Sequence, residues 1–196
     1  MAKFTKIPAD TFKQLQINAG VILSDFTPAT GAFDAESQIG ATTGGISFAA
    51  TPTFSDYGDD VDNCPKNTKE LKRLDDVEVK VSGTYVTVTT ASAKALMAAA
   101  DIDKTDTTKI VPRRDLADAD FSDIWIVGDY SDKNGTNNGG FIAIHLINAL
   151  STGGFQLKTA DKSKGQMAFV YTAHYSISQQ AVVPYELYIK AGTAET

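Results

Sequence analysis

Histidine is the side chain that most often moves protons near neutral pH, and this chain has two, His145 and His174. A nucleophilic site around either would need a serine, cysteine or threonine on an exposed turn and an acid to orient the imidazole. No Gly-x-Ser-x-Gly motif occurs. His174 lies in "FVYTAHYSI", where strand alternation puts Val170, Thr172, His174 and Ser176 on one face and Tyr171, Ala173 and Tyr175 on the other. His145 sits inside the apolar run "FIAIHLINAL". Both read as structural or interface side chains, so no residue is assigned a catalytic role and the chain reads as a non-enzyme.

Hard cations need several oxygen ligands in a set order. In "DYSDKNGTNNGGF", Asp132, Asn134 and Gly135 match the middle of a calcium loop, but Tyr130 and Phe141 occupy its two obligatory ends. "DYGDDVDN" gathers Asp56, Asp59, Asp60, Asp62 and Asn63 without a ligand order, as a solvated turn does. Cys64 is the single cysteine, which excludes an intrachain disulfide and a two-cysteine zinc site. Asn134-Gly135-Thr136 fits a glycosylation pattern but reads as a turn, because no secretory signal precedes it. Phosphate-cradling and dinucleotide fingerprints are missing. The expectation is no metal and no cofactor.

The 196 residues suit one domain spanning 1–196, and the net charge of −6 opposes affinity for a polyanion. Pro8, Asp10 and Lys13 interrupt any leader-like apolar segment, and the longest mainly apolar stretch, Phe141 to Leu150, is far too short to span a bilayer. A soluble protein, made and folded in the cytoplasm, with no membrane partner, is implied.

Turn residues alternate with Val, Ile, Thr and aromatic runs, which predicts a mainly β fold. An N-terminal arm over about residues 1–19 precedes a strand at "VILSDF". Gly44-Gly45 opens a second, "ISFAATPTF", with Ile46, Phe48, Ala50 and Pro52 on one face. From about 55 to 75 runs a long polar loop, with a short helix at Thr68–Leu74 as the alternative. Connections beyond about 12–15 residues are usually functional or disordered, so this loop predicts a partner. "VEVKVSGTYVTVTT" reads as a hairpin turning at Ser82-Gly83, with Val77, Val79, Val81, Val86 and Val88 inward and Tyr85 outward. A short helix follows, N-capped by Ser92, with Leu96, Met97 and Ala100 at helical spacing. "DIWIV" and "FIAIHLINAL" are apolar on both faces and need cover on both sides.

The elements carried by "DFSDIWIVGDYSD", "GGFIAIHLINALSTGGFQL" and "KGQMAFVYTAHYSI…VPYELYI", after "VEVKVSGTYVTVTTASAKALMAAADI", resemble in order and texture the major tail tube proteins of long-tailed, siphovirus-type bacteriophages and related prophages. The likeness runs along the whole chain and is clearest from Asp120 to Lys190. It implies a two-sheet β-sandwich or barrel with one flanking short α-helix. It also implies hexameric rings stacked into a virion tube that conducts DNA without specific binding, with the tape measure and tail terminator proteins as further partners. The loop would reach a neighbouring subunit or the next ring through Tyr57, Asp59, Asp60, Asp62, Lys66, Lys69, Lys72 and Arg73, its acidic half complementing its basic half. Subunit contact would supply the missing cover of the two apolar strands. The competing readings are a non-catalytic sandwich that binds carbohydrate or a host surface, and the tube of a contractile tail or secretion-type injection system.

Overall fold

The computed structural model describes residues 7–130 and 139–192. Ten strands run in the order β1 Gln16–Leu23, β2 Thr42–Asp56, β3 Lys72–Tyr85, β4 Ala100–Ile102, β5 Ile110–Pro112, β6 Ser122–Tyr130, β7 Gly140–Ser151, β8 Gln156–Lys158, β9 Gln166–Thr172 and β10 Tyr185–Lys190, with helix α1 at Thr90–Leu96. Eight of them form one antiparallel network, because β7 changes partners along its length. Its first half lies between β6 and β10, with Ile144 opposite both Ile126 and Leu187. Its last residues, Leu150 and Ser151, pair with Thr172 and Tyr171 of β9. The network therefore folds over on itself into two facing sheets: β1-β6-β7-β10, and β2-β3-β9 with β8 on the edge. The expected mainly β sandwich with one short helix is the fold observed.

The core between the sheets follows from alternation. Ile22, Ile124, Ile126 and Leu146 project from the first sheet and meet Val79, Val81, Tyr85, Met167, Phe169 and Tyr171 from the second. Fully burying such a side chain is worth about 1.5–3 kcal/mol. Ile46, Phe48 and Ala50 pack against this core from β2, as their spacing predicts. The Tyr85 and Tyr171 hydroxyls are buried without a hydrogen-bond partner among the described residues. Burial, and then Tyr171, push the Tyr85 phenol far above its ordinary range.

Several sequence expectations are corrected. The chain does not turn at Ser82-Gly83: β3 runs straight through it, pairing Gly83 with Ile46 on one side and Phe169 on the other. The glycine is there for space, since a Cβ at position 83 would stand 2.6 Å from the Phe169 ring. Continuing the strand keeps Tyr85 in phase with Val77, Val79 and Val81, so Tyr85 is fully buried and Val88 is 55% exposed. The cap of α1 is Thr89, whose hydroxyl accepts from the Ser92 N–H while the Ser92 hydroxyl accepts from the Thr89 N–H; Ser92 is thus the third residue of a capping box. The helix ends at Leu96, and Ala100 starts β4. The arm ends earlier than expected, because β1 begins at Gln16.

The two-sided apolar strands find a second cover within the chain. Residues 24–38 fold back over the outer face of the first sheet, held by Ser24 N–H to Ser37 O and Thr27 N–H to Ala32 O. They seat Phe26 against Trp125 and edge-on to Phe141, in a second cluster with Leu23, Val127 and Ala143.

Candidate functional site

All eight loop residues singled out from sequence lie on one element, but it is a built arm and not a loose connection. β2 extends to Asp56 and β3 starts at Lys72, so Ser55 faces Arg73 and Asp56 faces Lys72 in register, and only residues 57–71 form the tip. A 3-10 turn at Lys69–Leu71 stands where a short helix was the alternative. The Asp56 carboxylate accepts from the Gly58 and Asn67 N–H groups. Val61 N–H bonds to Gly58 O, Cys64 N–H to Val61 O, and the Thr68 hydroxyl to Pro65 O. Gly58 is buried because Cys64 and Leu71 close over it, each within 3.0 Å of where its Cβ would stand.

Lys72 donates to the Asn67 side chain at 2.7 Å and rides over the Phe54 ring. Asp59, Asp60, Asp62, Lys66 and Lys69 are exposed. Phe54, Tyr57, Val61 and Leu74 are also largely exposed along the arm, an apolar complement unusual for a surface hairpin.

The sheet edges are the second feature of the surface. Among the described residues β2 pairs only with β3, and β10 only with β7. From Thr42 to Ser55, β2 carries no charged residue, whereas edge strands of monomers are usually blunted by charges or bulges. Its irregularities are a bulge at Gly44-Gly45, both at positive φ, a second register shift between Thr53 and Phe54, and Pro52, which has no N–H to offer.

Neither histidine stands free. In the register of the first sheet, His145 is opposite Trp125 on β6 and Glu186 on β10. Its ring stacks on the indole at 4.0 Å and 3°, with Nε2 3.1 Å from the Asp123 carboxylate and Nδ1 3.4 Å from Glu186. The Tyr188 hydroxyl, and then His145, hold the Glu186 carboxyl below its ordinary range. The sequence did show Asp123 and Trp125 in phase on one strand, but not the register that brings Glu186 alongside. His174 lies just past β9, its N–H bonded to Ile147 O, its Nδ1 3.2 Å from Asn148 O and its ring edge-on to Phe121.

A half-open cavity of about 610 Å³, missed from sequence, lies between the β1 bulge and the covering segment, floored by Phe26, Val127 and Phe141 and rimmed by Phe33, Asp129 and Lys190. Among the described residues no helix is long and apolar enough to cross a membrane. The calcium-like group at Asp132 and Asn134, and the Asn134-Gly135-Thr136 pattern, lie outside the described residues.

No family model matches the sequence, and no curated protein matches it. Among solved structures, a chain of the virion of a native gene transfer agent particle is similar over 88% of this chain and 96% of that one, at 9% identity and a TM-score of 0.40.

Proposed function

We propose that the protein is a non-catalytic virion protein that assembles into stacked hexameric rings forming a phage tail tube, through which DNA passes without specific binding. The observation that carries this reading is the pair of dissimilar free edges. β2 is 15 residues long and uncharged almost throughout, and β10 stands free on the other sheet. Different surfaces meeting head to tail give a heterologous contact, which closes into a ring when its rotation divides a full turn. The tube of a contractile tail or injection system would use the same edges. Tape measure and terminator proteins are the further partners the reading implies.

Negative-stain microscopy and sedimentation of the purified protein test it. Rings of six and tubes that persist in EDTA are expected. A chain that stays monomeric at every concentration would sink the reading. The aromatic cavity beside Phe33 favours a second reading, a small-ligand or carbohydrate-binding sandwich; binding in a glycan screen that Phe33→Ala abolishes would select it.

A further inference from the structure

One row of side chains crosses three strands of the first sheet: Phe141 on β7 stands opposite Asp129 on β6 and Lys190 on β10. Strand alternation puts all three on the outer face, where Phe141 joins Phe26 and Val127 in the second cluster, and all three line the cavity of about 610 Å³. Neighbouring strands lie about 4.8 Å apart, so the backbones carrying the acid and the base are roughly 10 Å apart with the Phe141 ring between them. Among the described residues neither charge is in an ion pair. Asp129 accepts from the Asn18 amide at 2.9 Å, and the Lys190 ammonium lies 5.8 Å from the centre of the Phe141 ring. The strand alongside is bulged at this place, with Asn18, Ala19 and Gly20 standing against Gly128 alone and Asn18 at a φ of 68°. Gly20 and Gly128 carry no side chain, so that wall of the cavity is backbone, as at sites where a ligand approaches closely. On the flap, Phe33 stands at the rim, 43% exposed.

We infer that this cavity binds a neutral pyranose sugar. Its one carboxylate and one ammonium group select against charged ligands: a phosphate would meet Asp129, and a divalent cation would meet Lys190 and a single carboxylate where it needs several oxygens. An alkyl chain would bury both charges without partners. A pyranose suits both kinds of surface. Each of its hydroxyls donates and accepts, so one edge of the ring can give hydrogen bonds to Asp129 while the other takes them from Lys190. Its C–H face then lies on the apolar floor of Phe26, Val127 and Phe141, with Phe33 at the rim. Asn18 holds the Asp129 carboxylate in place and keeps a second N–H and its own carbonyl oxygen for a neighbouring hydroxyl. The volume falls within the range of about 300–1,000 Å³ usual for small-molecule sites. The inference rests on the ligand-binding reading of this cavity and names its ligand. The cavity opens away from the second sheet and uses neither β2 nor the arm, so its test does not turn on assembly.

Saturation-transfer NMR and titration calorimetry with the methyl glycosides of glucose, galactose, mannose and N-acetylglucosamine test it. Glucuronate, glucosamine, inorganic phosphate and phenylalanine serve as charged or zwitterionic counterparts. At least one glycoside should bind, with saturation passing to its ring C–H protons from the aromatic side chains. Asp129→Asn and Lys190→Gln should each weaken it by about tenfold or more, the worth of a hydrogen bond to a charged group. Phe33→Ala should weaken it as well. All three positions are exposed, and the amide that replaces the Asp129 carboxylate can still accept from Asn18, so the variants should keep the wild-type thermal transition. Glycoside binding that none of the three substitutions weakens would overturn this site and keep a carbohydrate-binding chain. Binding of a charged or zwitterionic probe alone, lost in Phe33→Ala, would overturn the sugar and keep the ligand pocket. If no probe binds at about 10 mM, where the free energy of association falls short of about −3 kcal/mol, the sugar and the ligand-binding reading fall together and the tube reading is untouched.

Discussion

The two sheets treat their outer faces in opposite ways. Over the first, residues 24–38 close like a flap, and Phe26, Trp125, Val127 and Phe141 form a second small core. The outer face of the second is bare. Ser47, Ala49, Thr51 and Thr53 alternate along β2, beside Asp76, Glu78, Lys80, Ser82 and Thr84 on β3 and Gln166 and Ala168 on β9, and most of them are exposed. The first sheet is thus buried on both faces and the second on one. For a wall between an outside and a channel the asymmetry is useful: the closed side stiffens the sheet, and the small polar side meets whatever passes. Under the proposed function the bare face lines the lumen.

The largest test of the closed face is Phe26→Ala. Phe26 is 4% exposed and bridges Trp125 and Phe141, so the truncation removes the keystone of the flap at a cost of about 3–5 kcal/mol. Denaturant unfolding should show that loss, and the Trp125 emission should shift to the red under native conditions. A loss below 1 kcal/mol would mean that the flap is ornamental and the two faces are not different in kind.

Gly83→Ala probes the shared core from the back of the bare face. The added methyl meets the Phe169 ring within 3 Å, and overpacking of that kind costs about 1–3 kcal/mol. Combining it with Phe169→Leu should recover part of the loss, because the obstacle is one ring. If Gly83→Ala is neutral, the straight course of β3 does not depend on that close approach.

This position also shows what the sequence could and could not convey. Alternation placed Val77, Val79 and Val81 in the core because period two is local to one strand. Ser82-Gly83 has the local chemistry of a turn, but its reason is a ring 86 positions later, at Phe169, and no local rule carries that information. The same holds for cover: "DIWIV" announced two buried faces, yet nothing in residues 24–38 beyond Phe26 marks them as the segment that supplies one. The arm was legible as a long polar excursion, whereas its ordered tip depends on the Asp56 carboxylate reaching the Gly58 and Asn67 N–H groups and on Cys64 and Leu71 closing over Gly58. His145 was legible as a structural or interface side chain of an apolar strand, not as flanked by two acids.

At the rim of the closed face, Glu186 gives a smaller, pH-dependent effect. Its carboxyl is held low by the Tyr188 hydroxyl first and by His145 second. A depressed carboxyl stabilises the fold above its unfolded value and loses that contribution as pH falls through the folded one. The side chain is half exposed, so solvent screening keeps the contribution to at most about 1 kcal/mol. Wild type should therefore exceed Glu186→Gln in stability by a constant amount near neutral pH, with the gap closing below about pH 4. A gap that persists at low pH would assign the effect to packing against Tyr188.

The smallest effect on stability is expected on the bare face, and there the informative readout is adhesion. Thr51 and Thr53 are exposed and pair with Glu78 and Asp76, and Ala49 lies opposite Lys80. Replacing Ala49, Thr51 and Thr53 with lysine should change stability by no more than about 0.5 kcal/mol per site, because exposed positions away from caps and strained backbone tolerate substitution; two of the new lysines face acids across the strand. The wild-type face carries Asp76 and Glu78 against Lys80, so it is weakly acidic, and Lys80 is already held by Glu78 at 2.5 Å. On this stretch of the face the cation Lys80 is thus already neutralised, and a chain of net charge −6 repels a polyanion at longer range. Three lysines per subunit would line a ring of six with about eighteen cations, each able to neutralise a phosphate with release of its counterion. Assembled wild-type tubes should thus show no DNA retention in a gel shift even at low salt, and the lysine variant should retain DNA in a manner that rises steeply as salt falls. If the variant's tubes form normally but bind no more DNA than wild type, the bare face is not the channel wall, and the asymmetry between the sheets must serve a contact on the outside of the assembly.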